Sequence, residues 1–178
     1  MVSLVIGGAR SGKSRFAQSL GIGARRVLYV ATARAEDAEM EARIAEHRRC
    51  RPAHWVTVEA PLEIADAVER HREECEFLLL DCLTVWLSNF CCEHRERPEA
   101  EIECGALREV ARVAAGTEAQ VVIVSNEVGW SLVPETPLGR FFRDLQGRVN
   151  QEAARLADQV VLVVAGIPVT IKRAEGQR

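Results

Sequence analysis

The chain has 178 residues, 48% of them hydrophobic and 28% charged, with 12 glycines and 6 prolines. That composition excludes fibrous, low-complexity and disordered classes and suits one packed globular domain, so residues 1–178 are read as a single domain. A formal net charge of −3 offers no overall attraction to a polyanion, so a compact ligand is expected in preference to nucleic acid or an anionic membrane.

The opening Met1–Ile6 carries no basic leader and no cleavage site, and no apolar run approaches the ~20 residues that cross a bilayer; a cytoplasmic protein without a membrane span is expected. Six cysteines (50, 75, 82, 91, 92 and 104) include no Cys-x-x-Cys pair. Cys91-Cys92-Glu93-His94 has no second half at ligand spacing, and the cysteines are read as reduced.

In chain order, short apolar runs alternate with amphipathic stretches. Val2–Ile6 reads as a strand, Ser14–Leu20 as a helix, Arg26–Val30 as a strand and Asp37–Arg49 as a helix. Trp55–Val58, Phe77–Leu80, Val121–Val124 and Val160–Val164 read as further strands buried on both faces, with helices over Pro61–Glu73, Pro98–Ala115 and Pro137–Ala157. The charged, cysteine-bearing Cys91–Glu103 reads as an exposed connection between helices. In the last helix Thr136 is the cap and Pro137 suits the first turn, and Leu138, Phe141, Phe142, Leu145, Val149 and Leu156 form one stripe. The gap between Val164 and the β-prone Val169–Ile171 is too short for a parallel crossover, so the final strand is expected antiparallel at an edge. The pattern predicts an α/β fold: a mostly parallel sheet with helices on both faces.

Chemistry is concentrated after the first strand. In Gly7-Gly8-Ala9-Arg10-Ser11-Gly12-Lys13-Ser14, small residues let backbone N–H groups turn onto phosphate oxygens. Lys13 reaches the β- and γ-phosphates, Ser14 offers its hydroxyl to Mg²⁺, and the following helix adds its positive N-terminal end. Phe77–Asp81 is an apolar strand ending in a carboxylate, the place of a Mg²⁺-associated acid in enzymes with such a loop, although a strand-ending Asp can equally cap a helix.

His47 shares a helical face with Met40 and Ile44, which suits a boundary histidine. Arg48, Arg49 and Arg51 follow it and supply phosphate-binding forks beside an imidazole, which suits a catalytic one. Asn126-Glu127-Val128-Gly129 places polar groups after the fifth strand, where they face a nucleotide or form an ordinary turn. Arg140, Arg143, Asp144, Arg148 and Asn150 read as a solvated helix face. Asp144-Leu145-Gln146-Gly147 matches a GTPase switch motif only formally, being inside the helical stripe, and there is no Asn-Lys-x-Asp for guanine.

Taken together, Gly7–Ser14, Tyr29-Val-Ala-Thr-Ala33, the His47–Glu59 string, Asp81-Cys-Leu-Thr-x-Trp-Leu-x-Asn89, Asn126–Gly129 and Phe142-Arg-Asp-x-x-Gly-Arg-x-Asn-Gln151 closely resemble the bifunctional adenosylcobinamide kinase / adenosylcobinamide-phosphate guanylyltransferase family across nearly the whole chain. The resemblance implies phosphorylation of adenosylcobinamide by ATP or GTP, then transfer of GMP from GTP to adenosylcobinamide phosphate, with pyrophosphate released. It implies that His47 is the guanylylated nucleophile. It also implies that the P-loop with Lys13, together with Ala31, Thr32, Ala33, Arg48, Arg49, Cys50, Arg51, Glu59 and Asp81, lines the GTP site, with Ser14 and Asp81 beside Mg²⁺. A RecA-like P-loop fold and a homotrimer come with the resemblance. Two other classes fit the P-loop alone: a single-activity small-molecule kinase and a RecA-like nucleotide-dependent binding module.

Overall fold

Residues 1–35, 37–49, 51–71, 73–115 and 118–173 are described by a computed structural model of the chain. The apolar runs become strands β1 (Val2–Gly7), β2 (Val27–Ala31), β3 (Val56–Glu59), β4 (Phe77–Asp81), β5 (Gln120–Asn126), β6 (Gln159–Val164) and β7 (Ile167–Lys172). Between them lie helices α1 (Lys13–Leu20), α2 (Ala38–Arg49), α3 (Ile64–His71), α4 (Leu83–Glu93), α5 (Glu99–Ala115) and α6 (Pro137–Leu156). One seven-stranded sheet runs in the order β3-β2-β4-β5-β1-β6-β7. All neighbours are parallel except β6 and β7.

Helices cover both faces, unequally. On one face Ile64, Leu83, Trp86, Ile102, Val110, Leu145 and Val149, from α3 to α6, pack on Leu4, Leu28, Leu78 and Ile123. On the other, Ala17 of α1 joins Tyr29, Trp55, Leu79 and Val124. A central strand with both faces covered is largely apolar, which is why β1, β4 and β5 read as apolar runs, with Ser3 and Ser125 the buried polar exceptions. No described residue of α2 belongs to either core.

Four expectations are corrected. β3 is an edge strand and its Val56 is exposed, because among the described residues no strand pairs with its outer side. Leu83–Glu93 is a helix unmarked by periodicity: its Leu83, Trp86, Leu87 and Cys91 are buried and its sequence is apolar nearly all round, so no stripe stands out. Cys91–Glu103 is consequently not one exposed connection, since its ends belong to α4 and α5 and Cys91 and Ile102 are buried. Leu138 is exposed because burial along α6 begins only after its first turn, while the Thr136 cap holds, with Oγ1 accepting from the Gly139 N–H at 3.1 Å.

The antiparallel edge forms as expected. Ala165 and Gly166, at φ 51° and 80°, make the two-residue turn from β6 to β7, with Val164 opposite Ile167. This turn also touches the loop after β1: the Gly166 N–H donates to Ser11 O at 2.8 Å. No described helix is long and apolar enough to cross a membrane.

Gly7 sits where β1 enters that loop, and a Cβ there would lie 2.5 Å from the Val163 carbonyl oxygen and 2.6 Å from Ser11 Oγ. Either β6 or the loop must shift to admit a methyl group. Gly7→Ala is expected to cost about 1–3 kcal/mol of stability. Thermal unfolding reads this directly, and an unchanged midpoint would remove the close approach as the reason for glycine.

Candidate active site

The loop Gly7–Ser14 joins β1 to α1 with Arg10 at φ 55° and Gly12 at φ 93°. Gly12 caps α1 in the left-handed conformation, which favours glycine, and a Cβ there would be crowded at 3.2 Å from Gly166 Cα. Nothing lies within 4 Å of a Cβ built on Gly8, so the mouth of the loop is open. The first-turn N–H groups of α1 have no intrahelical acceptor and are directed at that mouth. Lys13 is buried and its ammonium donates to Gly8 O at 3.1 Å. Burial holds its pKa below the ordinary lysine value, with Cys82 and Asp81 opposing the shift. Ser11 Oγ is buried without a hydrogen-bond partner. A cation bonded to its own loop carbonyl and an orphaned hydroxyl fit a site built for an anion.

Across the sheet, parallel register aligns the strand ends: Ala31 stands opposite Glu59 on one side and Asp81 on the other. Asp81 is the meeting point. Its Oδ1 accepts from Ser14 Oγ at 3.3 Å, its Oδ2 accepts from the Tyr29 hydroxyl at 2.8 Å, and His47 Nδ1 lies 3.9 Å from Oδ2. Only 9% of the Asp81 side chain is exposed, against 46% for His47. Burial and then the Asp81 charge push the Tyr29 phenol well above its usual pKa, so it remains a donor to the carboxylate. The Arg51 guanidinium lies 3.4 Å above the Tyr29 ring, and its Nη1 donates to Thr57 Oγ1 at 3.3 Å.

The expected nucleotide residues divide. The P-loop, Ala31, Thr32, Asp81, His47, Arg48, Arg51 and Glu59 are linked in one region: Thr32 N–H donates to Asp81 O at 3.3 Å, and Arg48 pairs with Glu59 from α2 to β3. Ala33 follows Thr32 directly in the chain and is half-buried. Arg49 instead pairs with Glu46 on its own helix, both side chains exposed, and is not brought to Asp81. Cys50 lies outside the described residues.

Two features escaped the sequence reading. Tyr29, whose ring reads as core, carries the hydroxyl that fixes Asp81. Asn150 was expected on a solvated face and is buried: its Oδ1 accepts from Ser125 Oγ at 2.6 Å and Gln146 Nε2 at 2.9 Å. Among the described residues, Asn150 and Gln146 sit four apart on α6 beside Leu145 and Val149, a spacing that could have marked them as part of the buried face.

A phosphate-binding loop and an acidic strand end, facing each other over the carboxyl edge of a mostly parallel sheet, define a P-loop nucleotide-binding enzyme. The fold is RecA-like: it resembles the RadB recombinase (TM-score 0.50, 14% identity, covering 90% of this chain and 73% of that one) and an ATPase of the type III secretion system of pathogenic bacteria (TM-score 0.57, 10% identity, 90% and 51%). Closer likenesses are full-length. The chain is 44% identical to the bifunctional adenosylcobalamin biosynthesis protein CobU of Salmonella typhimurium and 41% identical to that of Escherichia coli K12, covering 97% of this chain and 100% of each relative. It is 43% identical to CobP of Pseudomonas aeruginosa, covering 97% of this chain and 98% of that one. The cobinamide kinase / cobinamide phosphate guanyltransferase family matches residues 3–171, and the chain belongs to it. It is a bifunctional transferase, kinase and guanylyltransferase together.

Tyr29→Phe keeps the ring under Arg51 and deletes one of two hydroxyl donors to a buried carboxylate. The expected loss is about 1–3 kcal/mol in denaturant unfolding. Unchanged stability would mean that the hydroxyl carries no part in holding Asp81.

Proposed function

We propose that both reactions use triphosphate seated in the Gly7–Ser14 loop and that His47 is the residue guanylylated. The contact that carries this reading is His47 Nδ1 at 3.9 Å from Asp81 Oδ2, because Asp81 also accepts from Ser14 of the loop. A carboxylate beside Nδ1 stabilises the positive charge an imidazole gains on attack and leaves Nε2 as the attacking atom. Attack on the α-phosphorus of GTP forms the nitrogen–phosphorus bond and expels pyrophosphate, whose charge Lys13 and the loop N–H groups take up. An oxygen of adenosylcobinamide phosphate then displaces the histidine and carries the GMP away.

In the kinase reaction the same loop presents the γ-phosphoryl group of ATP or GTP to the adenosylcobinamide hydroxyl, where positioning and charge neutralisation supply most of the rate. Arg48 pairs with Glu59 and Arg51 stands over Tyr29, while Ala31, Thr32 and Ala33 continue β2 toward the same edge, Thr32 being fully buried with its Oγ1 bonded to the Cys82 backbone. Ser14 Oγ and Asp81 Oδ1 are hard oxygen donors 3.3 Å apart, a set that suits Mg²⁺, which takes one or two protein oxygens along with phosphate oxygens and water. Ser14 and Asp81 would hold it, and it would neutralise phosphate charge.

The chain works as a cytoplasmic homotrimer that acts on a small molecule and not on nucleic acid. The family resemblance supports the trimer; the edge strand β7, where Ile167, Val169 and Ile171 are exposed, supports association without fixing the number of copies.

α-Labelled GTP tests the reading. Wild type is expected to acquire acid-labile, alkali-stable label. His47→Ala is expected to acquire none and to lose guanylyltransfer by roughly three orders of magnitude while retaining kinase activity. Label persisting in His47→Ala would move the nucleophile elsewhere, and an unlabelled wild type would reduce the protein to a simple kinase. Lys13→Ala is expected to weaken nucleotide binding about ten- to a hundredfold and to lower both activities; wild-type rates in either would separate that reaction from this loop.

A further inference from the structure

Phosphoryl transfer to a hydroxyl needs a group that takes the hydroxyl proton. Asp81 is already engaged by Ser14, Tyr29 and His47. A second carboxylate stands on the other side of the loop. β5 lies beside β1, Asn126 is opposite Gly7, and the Glu127 N–H donates to Gly7 O at 3.2 Å, which ties Glu127 to the first residue of the phosphate-binding loop.

The Glu127 side chain is half-buried, and its Oε1 accepts from Asn150 Nδ2 at 3.2 Å. Asn150 is itself immobilised: Nδ2 also donates to Asn126 O at 3.0 Å, and Oδ1 accepts from Ser125 and Gln146 inside the core. A rigid buried network therefore aims one carboxylate at the carboxyl edge of the sheet. Among the described residues no ion pair involves Glu127, its Oε2 takes no hydrogen bond, and it makes no cap bond to the 3-10 turn Val128–Trp130 that follows. Beside it, Asn126 Oδ1 is buried without a hydrogen-bond partner, a second acceptor left open at the same strand end. A structural carboxylate would be paired or capping; this one is held by a neutral amide on one oxygen and open on the other. Burial also pushes its carboxyl above the usual range, with the Asn150 bond opposing, which strengthens it as a proton acceptor.

We infer that Glu127 is the general base of the kinase reaction. Its Oε2 takes the proton of the acceptor hydroxyl as that oxygen bonds to the γ-phosphorus and the bond from the γ-phosphorus to the β,γ-bridging oxygen breaks. A nucleoside diphosphate leaves, and the proton passes to solvent from the half-exposed Glu127 carboxyl itself. This rests on the triphosphate occupying the Gly7–Ser14 loop.

Glu127→Gln tests it, because the amide oxygen still accepts from Asn150 and the network is preserved. With full-length protein, adenosylcobinamide and GTP, kcat for phosphorylation is expected to fall at least about a hundredfold, with nucleotide KM within about threefold. Label transfer from GTP to protein, and from protein to preformed adenosylcobinamide phosphate, is expected to stay at wild-type rates. Kinase turnover within a few-fold of wild type overturns the inference. So does a parallel fall in both activities, which would make Glu127 a support of the fold. Failure of the shared-loop reading is separately visible, since Lys13→Ala would then keep kinase activity whatever Glu127→Gln does.

Discussion

The Asp81 carboxylate accepts a hydrogen bond from Ser14 on one oxygen and from Tyr29 on the other, with most of its surface withdrawn from water. A carboxylate so placed must be compensated, because an unpaired buried charge costs several kcal/mol. Its partners come from three separate parts of the chain: the loop after β1, the middle of β2 and the last turn of α2. Their convergence depends on parallel register, which sets Ala31 level with Asp81 and Glu59 level with Ala31. A slip of one residue in β4 would turn the carboxylate to the opposite face of the sheet and detach the loop from the histidine.

The phosphate loop is held from both flanks of β1. On one side the β6–β7 turn supplies the Gly166 N–H to Ser11 O, and Gly12 passes so close to Gly166 that a side chain there would be crowded. On the other side β5 contributes Asn126 opposite Gly7 and the Glu127 N–H to Gly7 O. The antiparallel edge hairpin is thus a buttress for the loop as well as the end of the sheet. Packing against rigid neighbours keeps Arg10 and Gly12 in left-handed conformations that a free loop would seldom hold.

On the reading proposed above, the two reactions place different demands on the surroundings of a triphosphate held in the loop. Guanylyl transfer needs a nucleophile near the α-phosphorus, and α2 brings His47 to the Asp81 side. Phosphoryl transfer needs a proton acceptor, the role inferred for Glu127, which the polar network under α6 holds on the β5 side. The two groups stand on strands and helices with few shared supports: Asn150, Gln146 and Ser125 fix one, while Arg48–Glu59 and Arg51 over Tyr29 brace the other. Under those assignments, separate supports would let one reaction be altered while the other continues.

Some of this was decided by the sequence alone. Gly7–Ser14 between an apolar run and a helix specifies a phosphate site, because small residues, a lysine and a hydroxyl at that spacing act through the local backbone. Alternating apolar runs specify a parallel sheet, and the short gap before β7 specifies its antiparallel edge; each depends only on neighbours in the chain. What the sequence left open needed distant residues to meet. Leu83–Glu93 is helical because it is enclosed by the core, and its apolar sequence has no periodic face to show it. Asn150 looks like surface among Arg148 and Glu152, yet Ser125 and Gln146 reward its burial with hydrogen bonds. That Asp81 meets Ser14 of the loop, and that Tyr29 is more than core, rests on a 3.3 Å and a 2.8 Å contact across 67 and 52 residues of chain. Contacts over such separations are set by strand register and layer packing, and these exist only in the folded sheet.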